Sequence, residues 1–246
     1  MLKKIILIPC LSLSCFVNAQ KSVSHNNLVW FGDFSKTKLS DRWSIYLDLG
    51  LRRTQWLDKW SQTLVRAGAT YHFSGDISLT AGVAYFNHYS SSFIRPELRG
   101  WQQLLFTGSS GRIKWNHRLR SEQRFSQRVA ANELEEGYNY NNRFRYQFGI
   151  QVAVNRKKIE DRTIYISVSN EIFINSGKEI VNNYFDQNRV SIGIGCKLNE
   201  KLNILVSYMK VFAQKSKVGV FENNNVLVIN LYHNFDLSYK NRKKET

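Results

Sequence analysis

From about residue 42 onward the chain repeats one pattern, apolar side chains at every second position in runs of about 10 to 14 residues separated by polar segments. Trp43, Ile45, Leu47, Leu49 and Leu51 alternate with Arg42, Ser44, Tyr46, Asp48, Gly50 and Arg52. Successive side chains on a strand point to opposite faces, so such a run is apolar on one side and wet on the other. The pattern recurs in Val65, Ala67, Ala69, Tyr71 and Phe73, then in Ile77, Leu79, Ala81, Val83 and Tyr85 after the Ser74-Gly75-Asp76 turn, which is a hairpin signature. It continues in Ile113, Trp115, His117 and Leu119; in Phe144, Tyr146, Phe148, Ile150 and Val152; and in Ile164, Ile166 and Val168. Val190, Ile192, Ile194 and Cys196, then Ile204, Val206 and Tyr208, then Leu227, Ile229 and Leu231 complete it. Nothing comparable has helical spacing, and the chain is predicted to be all-β.

Alternation does not say which face points inward. A soluble barrel turns its apolar face in, a membrane barrel turns it out and keeps a polar lumen, and a soluble barrel of this sequence would hold an apolar ligand. Three features favour the membrane. The runs exceed the usual strand of about 5 or 6 residues and match the 9 to 11 that cross a bilayer at a tilt. Aromatics sit near segment ends (Trp30, Trp43, Trp56, Trp60, Tyr71, Phe73, Tyr85, Tyr89, Tyr208, Phe212, Phe235 and Tyr239), as interfacial girdles do. Connections alternate between tight (73–77, 108–111, 199–201) and long (87–96, 126–141, 175–188, 212–225). The expectation is a single antiparallel up-and-down transmembrane β-barrel of about 10–12 strands. Eleven segments are countable if 28–34 is the first, whereas even parity is met by the ten that start at Arg42 and leaves that first segment without a place.

The first residues read as an export leader. Lys3 and Lys4 precede an apolar stretch over 5–17, and Val17-Asn18-Ala19 fits a small-residue cleavage site, so 1–19 is a signal peptide and 20–246 one barrel domain. Beyond it no apolar run reaches the about 18 residues of a spanning helix. Of three cysteines, Cys10 and Cys15 fall in the leader, and Cys196 alone makes neither a disulfide framework nor a cysteine metal site. The formal charge of +16 becomes about +14 without the two leader lysines. An exported cation meets lipid headgroups or lipopolysaccharide rather than nucleic acid. The expected location is thus the outer membrane of a Gram-negative bacterium, with outer-membrane lipid or lipopolysaccharide as partner.

A polar lumen is where charge should gather. Arg118, Arg120, Glu122 and Arg124 share one face of a strand, with Arg143 and Arg145 on the next and Arg99 on the one before. Rings of arginine select anions in channels. A narrow barrel instead fills its interior with side chains, and Glu97, Glu122 and Glu171 are placed to pair these arginines, because buried charges are paired. The second reading is preferred.

Arg95-Pro96-Glu97-Leu98-Arg99-Gly100-Trp101-Gln102-Gln103, His117-Arg118-Leu119-Arg120-Ser121-Glu122-Gln123-Arg124-Phe125 and Ser169-Asn170-Glu171-Ile172-Phe173 resemble the signature of a bacterial family named for its domain of unknown function 2490. The resemblance extends from Trp30 to about Tyr239 and includes an early strand ending in Arg52 and Arg53; Gly100 stands where the family pattern tends to proline. It implies an exported outer-membrane barrel, typical of Bacteroidota, with no assigned activity and no catalytic residues to carry over.

One catalytic alternative has the right spacing. His88 and Ser90 lie two apart on one face, as a base and nucleophile would, and resemble the His-x-Ser element of outer-membrane lipid A deacylases, although Ser91 follows where that family has asparagine. A polar strand end running into Ser90-Ser91-Ser92 is the preferred reading, and no catalytic residue is assigned. His72, His117 and His233 are isolated from one another, so no metal site is expected. No phosphate loop or nucleotide fingerprint is present, so no cofactor is expected.

Overall fold

The structure, a computed structural model, describes residues 21–238. The predicted leader with Lys3, Lys4, Cys10 and Cys15, and the tail from Tyr239, lie outside the described residues. Every regular element is a strand: β1 (Ser22–Ser24), β2 (Asn27–Lys38), β3 (Trp43–Thr54), β4 (Lys59–His72), β5 (Ile77–Tyr89), β6 (Ile94–Ser110), β7 (Ile113–Ala130), β8 (Glu133–Ala153), β9 (Thr163–Ser176), β10 (Phe185–Lys197), β11 (Leu202–Gln214) and β12 (Val220–Asp236).

From β2 to β12 each strand pairs antiparallel with the next, and β12 pairs with β2 to close the sheet. The closing pair is parallel, from Asn27 opposite Asn225 to Lys38 opposite Asp236. β1 lies on β12 in the same register, Ser22 opposite Val220, so β1 and β2 form one edge interrupted at His25 and Asn26. The barrel thus has eleven strands and one short extra strand, inside the expected range. The segment without a place under even parity is the one that closes the ring. With an odd count the first and last strands run the same way, so the antiparallel expectation holds at every pair but those that β12 makes with β2 and, along the same edge, with β1.

The long connections are a correction. β7 and β8 run to 18 and 21 residues and join through Ala131 and Asn132 alone. Both have left-handed φ, 49° and 64°, the conformation of a type I′ hairpin turn. Segment 126–141 is therefore a hairpin that overshoots the barrel rim, and irregular chain shrinks to 90–93 and 215–219 at two other places expected to be long. The longest irregular connections, 154–162 and 177–184, lie at opposite ends. In residues 133–142 the alternation is broken, with Glu136 and Asn142 in phase with Leu134, Tyr138 and Tyr140, and main-chain pairing with β7 holds the segment.

The apolar faces point outward. Ile194 is 65 % exposed and Val83 60 %, whereas Glu122 is 2 % and Arg120 5 % exposed. Aromatic pairs sit outside near both ends: Trp43 with Tyr71 and Tyr71 with Phe73, each at 5.1 Å, at one; Trp60 with Tyr89 at 5.7 Å and Phe125 with Tyr140 at 4.9 Å towards the other. Trp30, grouped above with the girdle, points into the barrel instead and packs on Leu28, Met209, Val211, Val226 and Val228. A second inward apolar cluster joins Leu64, Ala84, Phe86 and Trp101, with Tyr46 against it. Gly68 and Gly82 face each other across β4 and β5 and make room for it: a Cβ on Gly68 would meet the Trp101 ring at 2.9 Å, and one on Gly82 would collide with the Ala67 carbonyl oxygen.

Candidate functional site: the charged lumen

Strand register brings like charges face to face. Arg99 lies opposite Arg124 across β6 and β7, and Arg120 opposite Arg145 across β7 and β8. Such pairs repel unless a carboxylate stands between them. Glu97 serves the first pair, accepting from Arg99 Nε and from Arg124 Nε at 2.7 Å. Glu122 serves the second, with Arg145 Nη1 at 2.6 Å and Arg120 Nη1 at 3.8 Å on Oε1.

Glu122 is the hub. Its Oε2 accepts from Arg143 Nη2 at 2.5 Å, Arg143 Nε at 3.0 Å and Arg99 Nη1 at 3.3 Å. Glu171 Oε1 accepts from Arg118 Nη2 at 2.8 Å and Arg145 Nε at 2.9 Å. Asp186 takes the remaining edge of Arg143 at 3.0 Å. Six arginines therefore share four carboxylates. Such charge is tolerated when hydrogen bonds satisfy each partner and aromatic faces receive the guanidinium planes. Arg99 lies 3.6 Å over Phe86, Arg145 4.4 Å over Phe173 and Arg120 5.1 Å from the Trp101 centroid. Gln103 accepts two further bonds from Arg120, at 3.0 and 2.5 Å.

All eight lumen residues singled out above, Arg99, Arg118, Arg120, Glu122, Arg124, Arg143, Arg145 and Glu171, fall in this one network. Sequence reasoning missed Asp186 and Arg189, which lay in or beside a segment taken for a loop, and the separate buried pair of Asp48 with Arg66 at 3.5 Å. It also missed Trp30 as a lumen residue, because Val29 and Phe31 are as apolar as Leu28 and Trp30 and β2 shows no polar face there, whereas Arg52 falls on the wet face that the alternation of β3 gave it. A cavity of about 1060 Å³ runs beside the network, lined by residues from β2 through β12.

The His88 and Ser90 pair is not assembled. Ser90 Oγ donates to the Phe93 carbonyl at 2.9 Å and accepts from the Phe93 amide at 3.1 Å, which is the β5–β6 turn. His88 turns the other way, its Nε2 at 2.9 Å from Glu97 Oε2 and its Nδ1 at 2.9 Å from Gln62 Nε2. Base and nucleophile thus have separate partners, and the deacylase-like alternative is not favoured. Among the described residues no three His, Cys, Asp or Glu side chains gather as a metal would need.

No curated protein and no solved structure matches the chain. A family model described as a protein of unknown function, DUF2490, matches residues 27–221, from the first residue of β2 into the start of β12. The chain, with its closed barrel and its arginine–glutamate lumen, belongs to the DUF2490 family.

Proposed function

We propose that this chain is an exported, non-enzymatic β-barrel of the Gram-negative outer membrane, embedded in outer-membrane lipid or lipopolysaccharide and braced internally by its Arg/Glu network. The observation that carries the reading is the inversion of faces: the large aliphatic side chains are exposed outside, and the charges are buried inside. Water would disfavour that arrangement at roughly 25 cal/mol for each Å² of exposed apolar surface, and hydrocarbon would not. The aromatic pairs near both ends suit headgroup depth. The network suits a structural role, since Glu97, Glu122 and Glu171 each have at least two arginine partners and none is free to act as a base.

Cell fractionation with gel mobility before and after boiling tests the location. Recovery in the outer membrane with a heat-dependent shift is the expected outcome, and recovery in the soluble periplasm refutes it. A second reading, a narrow anion-preferring pore, is favoured by the cavity, whose lining extends from Glu179 and Lys215 at one end to Lys114 and Asn234 at the other. Planar bilayers separate the two. A braced, closed lumen gives no conductance steps, whereas a pore gives small steps whose anion preference falls on charge reversal at Arg118 and Arg120.

A further inference from the structure

The lumen holds a second constellation, made of groups that the network leaves out. Arg52 of β3 and Arg189 of β10 both stack on Trp30 of β2, their guanidinium carbons 4.0 and 4.9 Å from the ring centroid. Arg52 is the cross-strand neighbour of Trp30, while Arg189 reaches it from three strands away round the ring. Among the described residues the Arg52 guanidinium has this ring contact and neither a hydrogen bond nor an ion pair. Arg189 lies between Trp30 and Phe173, whose centroid is 4.4 Å from its guanidinium carbon, and donates Nε to Gln187 Oε1 at 3.0 Å. The carboxylate across from it, Glu171, is already held by Arg118 and Arg145. Trp30 Nε1 is buried without an acceptor.

Two cations, Arg52 and Arg189, thus converge on the cavity at Trp30, and the nearest carboxylate, Glu171, already serves two other arginines. Buried donors are ordinarily satisfied, and stacking on an aromatic face fixes a guanidinium plane so that its N–H edge is presented to an oxyanion. The wall beside Trp30 then changes character. Leu28, Met209, Val211 and Val228 are inward-facing and line the same cavity. An inorganic ion would use the guanidinium donors alone; an anion carried on an apolar body would also use the side of this seam cluster that faces the cavity.

We propose that Trp30, Arg52 and Arg189, with the adjoining stripe, form a lumenal binding site for an amphiphilic carboxylate. The two guanidinium edges take its headgroup beside the Trp30 ring, and its hydrocarbon body lies along Leu28, Met209, Val211 and Val228. The site depends on the interior of the barrel and not on its compartment, so it stands or falls separately from the outer-membrane reading.

The test is calorimetric titration of the purified full chain with hexanoate, which is short enough to stay in water, and in parallel with inorganic phosphate and hexylammonium. Saturable hexanoate binding at least tenfold tighter than phosphate is expected, with none for hexylammonium. Arg52→Gln and Arg189→Gln should each weaken hexanoate at least tenfold, which is about 1.4 kcal/mol. Arg42→Gln, on the exposed β2–β3 turn, should leave it unchanged. Circular dichroism checks that each variant is folded. If a glutamine variant does not fold, Arg52→Lys and Arg189→Lys take its place, since lysine keeps the charge but loses the fork, and a several-fold weakening is expected. Absence of saturable hexanoate binding, or folded variants that bind as the unsubstituted chain does, overturns the site. Phosphate binding as tightly as hexanoate overturns the assignment of an amphiphile.

Discussion

Glu122 carries more of the lumen than any other side chain, since Arg99, Arg120, Arg143 and Arg145 all come within 4 Å of its two oxygens. Removing one partner from a buried ionic cluster leaves uncompensated charge and typically costs 3–5 kcal/mol. Glu122→Gln should accordingly lower the denaturant midpoint of the folded barrel by an amount equivalent to about 3–5 kcal/mol. Glu133→Gln, at the exposed tip of the β7–β8 hairpin, should stay within about 0.5 kcal/mol. The double variant Glu122→Gln with Arg143→Gln should lose less than the sum of its single changes, because it removes one of the stranded cations together with its partner. Equal losses for Glu122→Gln and Glu133→Gln would show that the network does not brace the barrel. These charges were legible before the structure because they repeat at two-residue spacing along β7 and β8. The meeting of Arg52 and Arg189 on Trp30 was not, because it arises where β2, β3 and β10 come together across the lumen, and no local period encodes it.

At the level of the strand, the same alternation supports opposite folds, and only the sign of the cost of placing a charge on the apolar face separates them. Leu49 is outward-facing near the middle of β3, and Ile113 is outward-facing at the first position of β7. In a bilayer an arginine on the lipid face costs about 2–4 kcal/mol at mid-depth and about 0–1 near the interface. Leu49→Arg should therefore destabilise folding into lipid vesicles by about 2–4 kcal/mol and Ile113→Arg by about 1 kcal/mol or less. On a water-exposed surface both would fall within about 0.5 kcal/mol. Near-identical small effects would remove the membrane from the account. The strands themselves were readable where one face is apolar and the other polar, as in β3 or β8 beyond Phe144. The first half of β8 was not. Tyr138 and Tyr140 keep the phase of Phe144, but Glu136 and Asn142 interrupt it, and the strand conformation comes from main-chain pairing with β7 and a turn at Ala131 and Asn132 that lacks the usual glycine.

For the molecule as a whole, parity decides the seam. Ten strands beginning at β3 would close antiparallel, β12 against β3, and leave β2 outside the ring. Eleven place β2 between them, parallel to β12 and antiparallel to β3. The sequence contains both possibilities, since 28–34 scans as a strand in either case; what selects between them is that Leu28 and Trp30 bury against Val226, Val228 and Val211, a contact available only to a strand inside the ring. The two closures differ in a covalent test. Phe31 lies opposite Ile229 in the parallel register. Neighbouring strands are about 4.8 Å apart, within the Cα separation of about 4.4 to 6.8 Å that a disulfide accepts. In a Cys196→Ser background, Phe31→Cys with Ile229→Cys should oxidise to an intramolecular disulfide that changes gel mobility until reductant is added. Phe31→Cys with Val206→Cys, one strand further round the ring, should not link. The disulfide would also lock the seam, so hexanoate affinity should persist in the oxidised barrel if the site beside Trp30 is formed by the closed ring. A chain that links neither pair, or that links Phe31→Cys to Ile229→Cys no faster than to Val206→Cys, would mean that β2 does not close the barrel, and the convergence of Arg52 and Arg189 on Trp30 would have no scaffold to hold it.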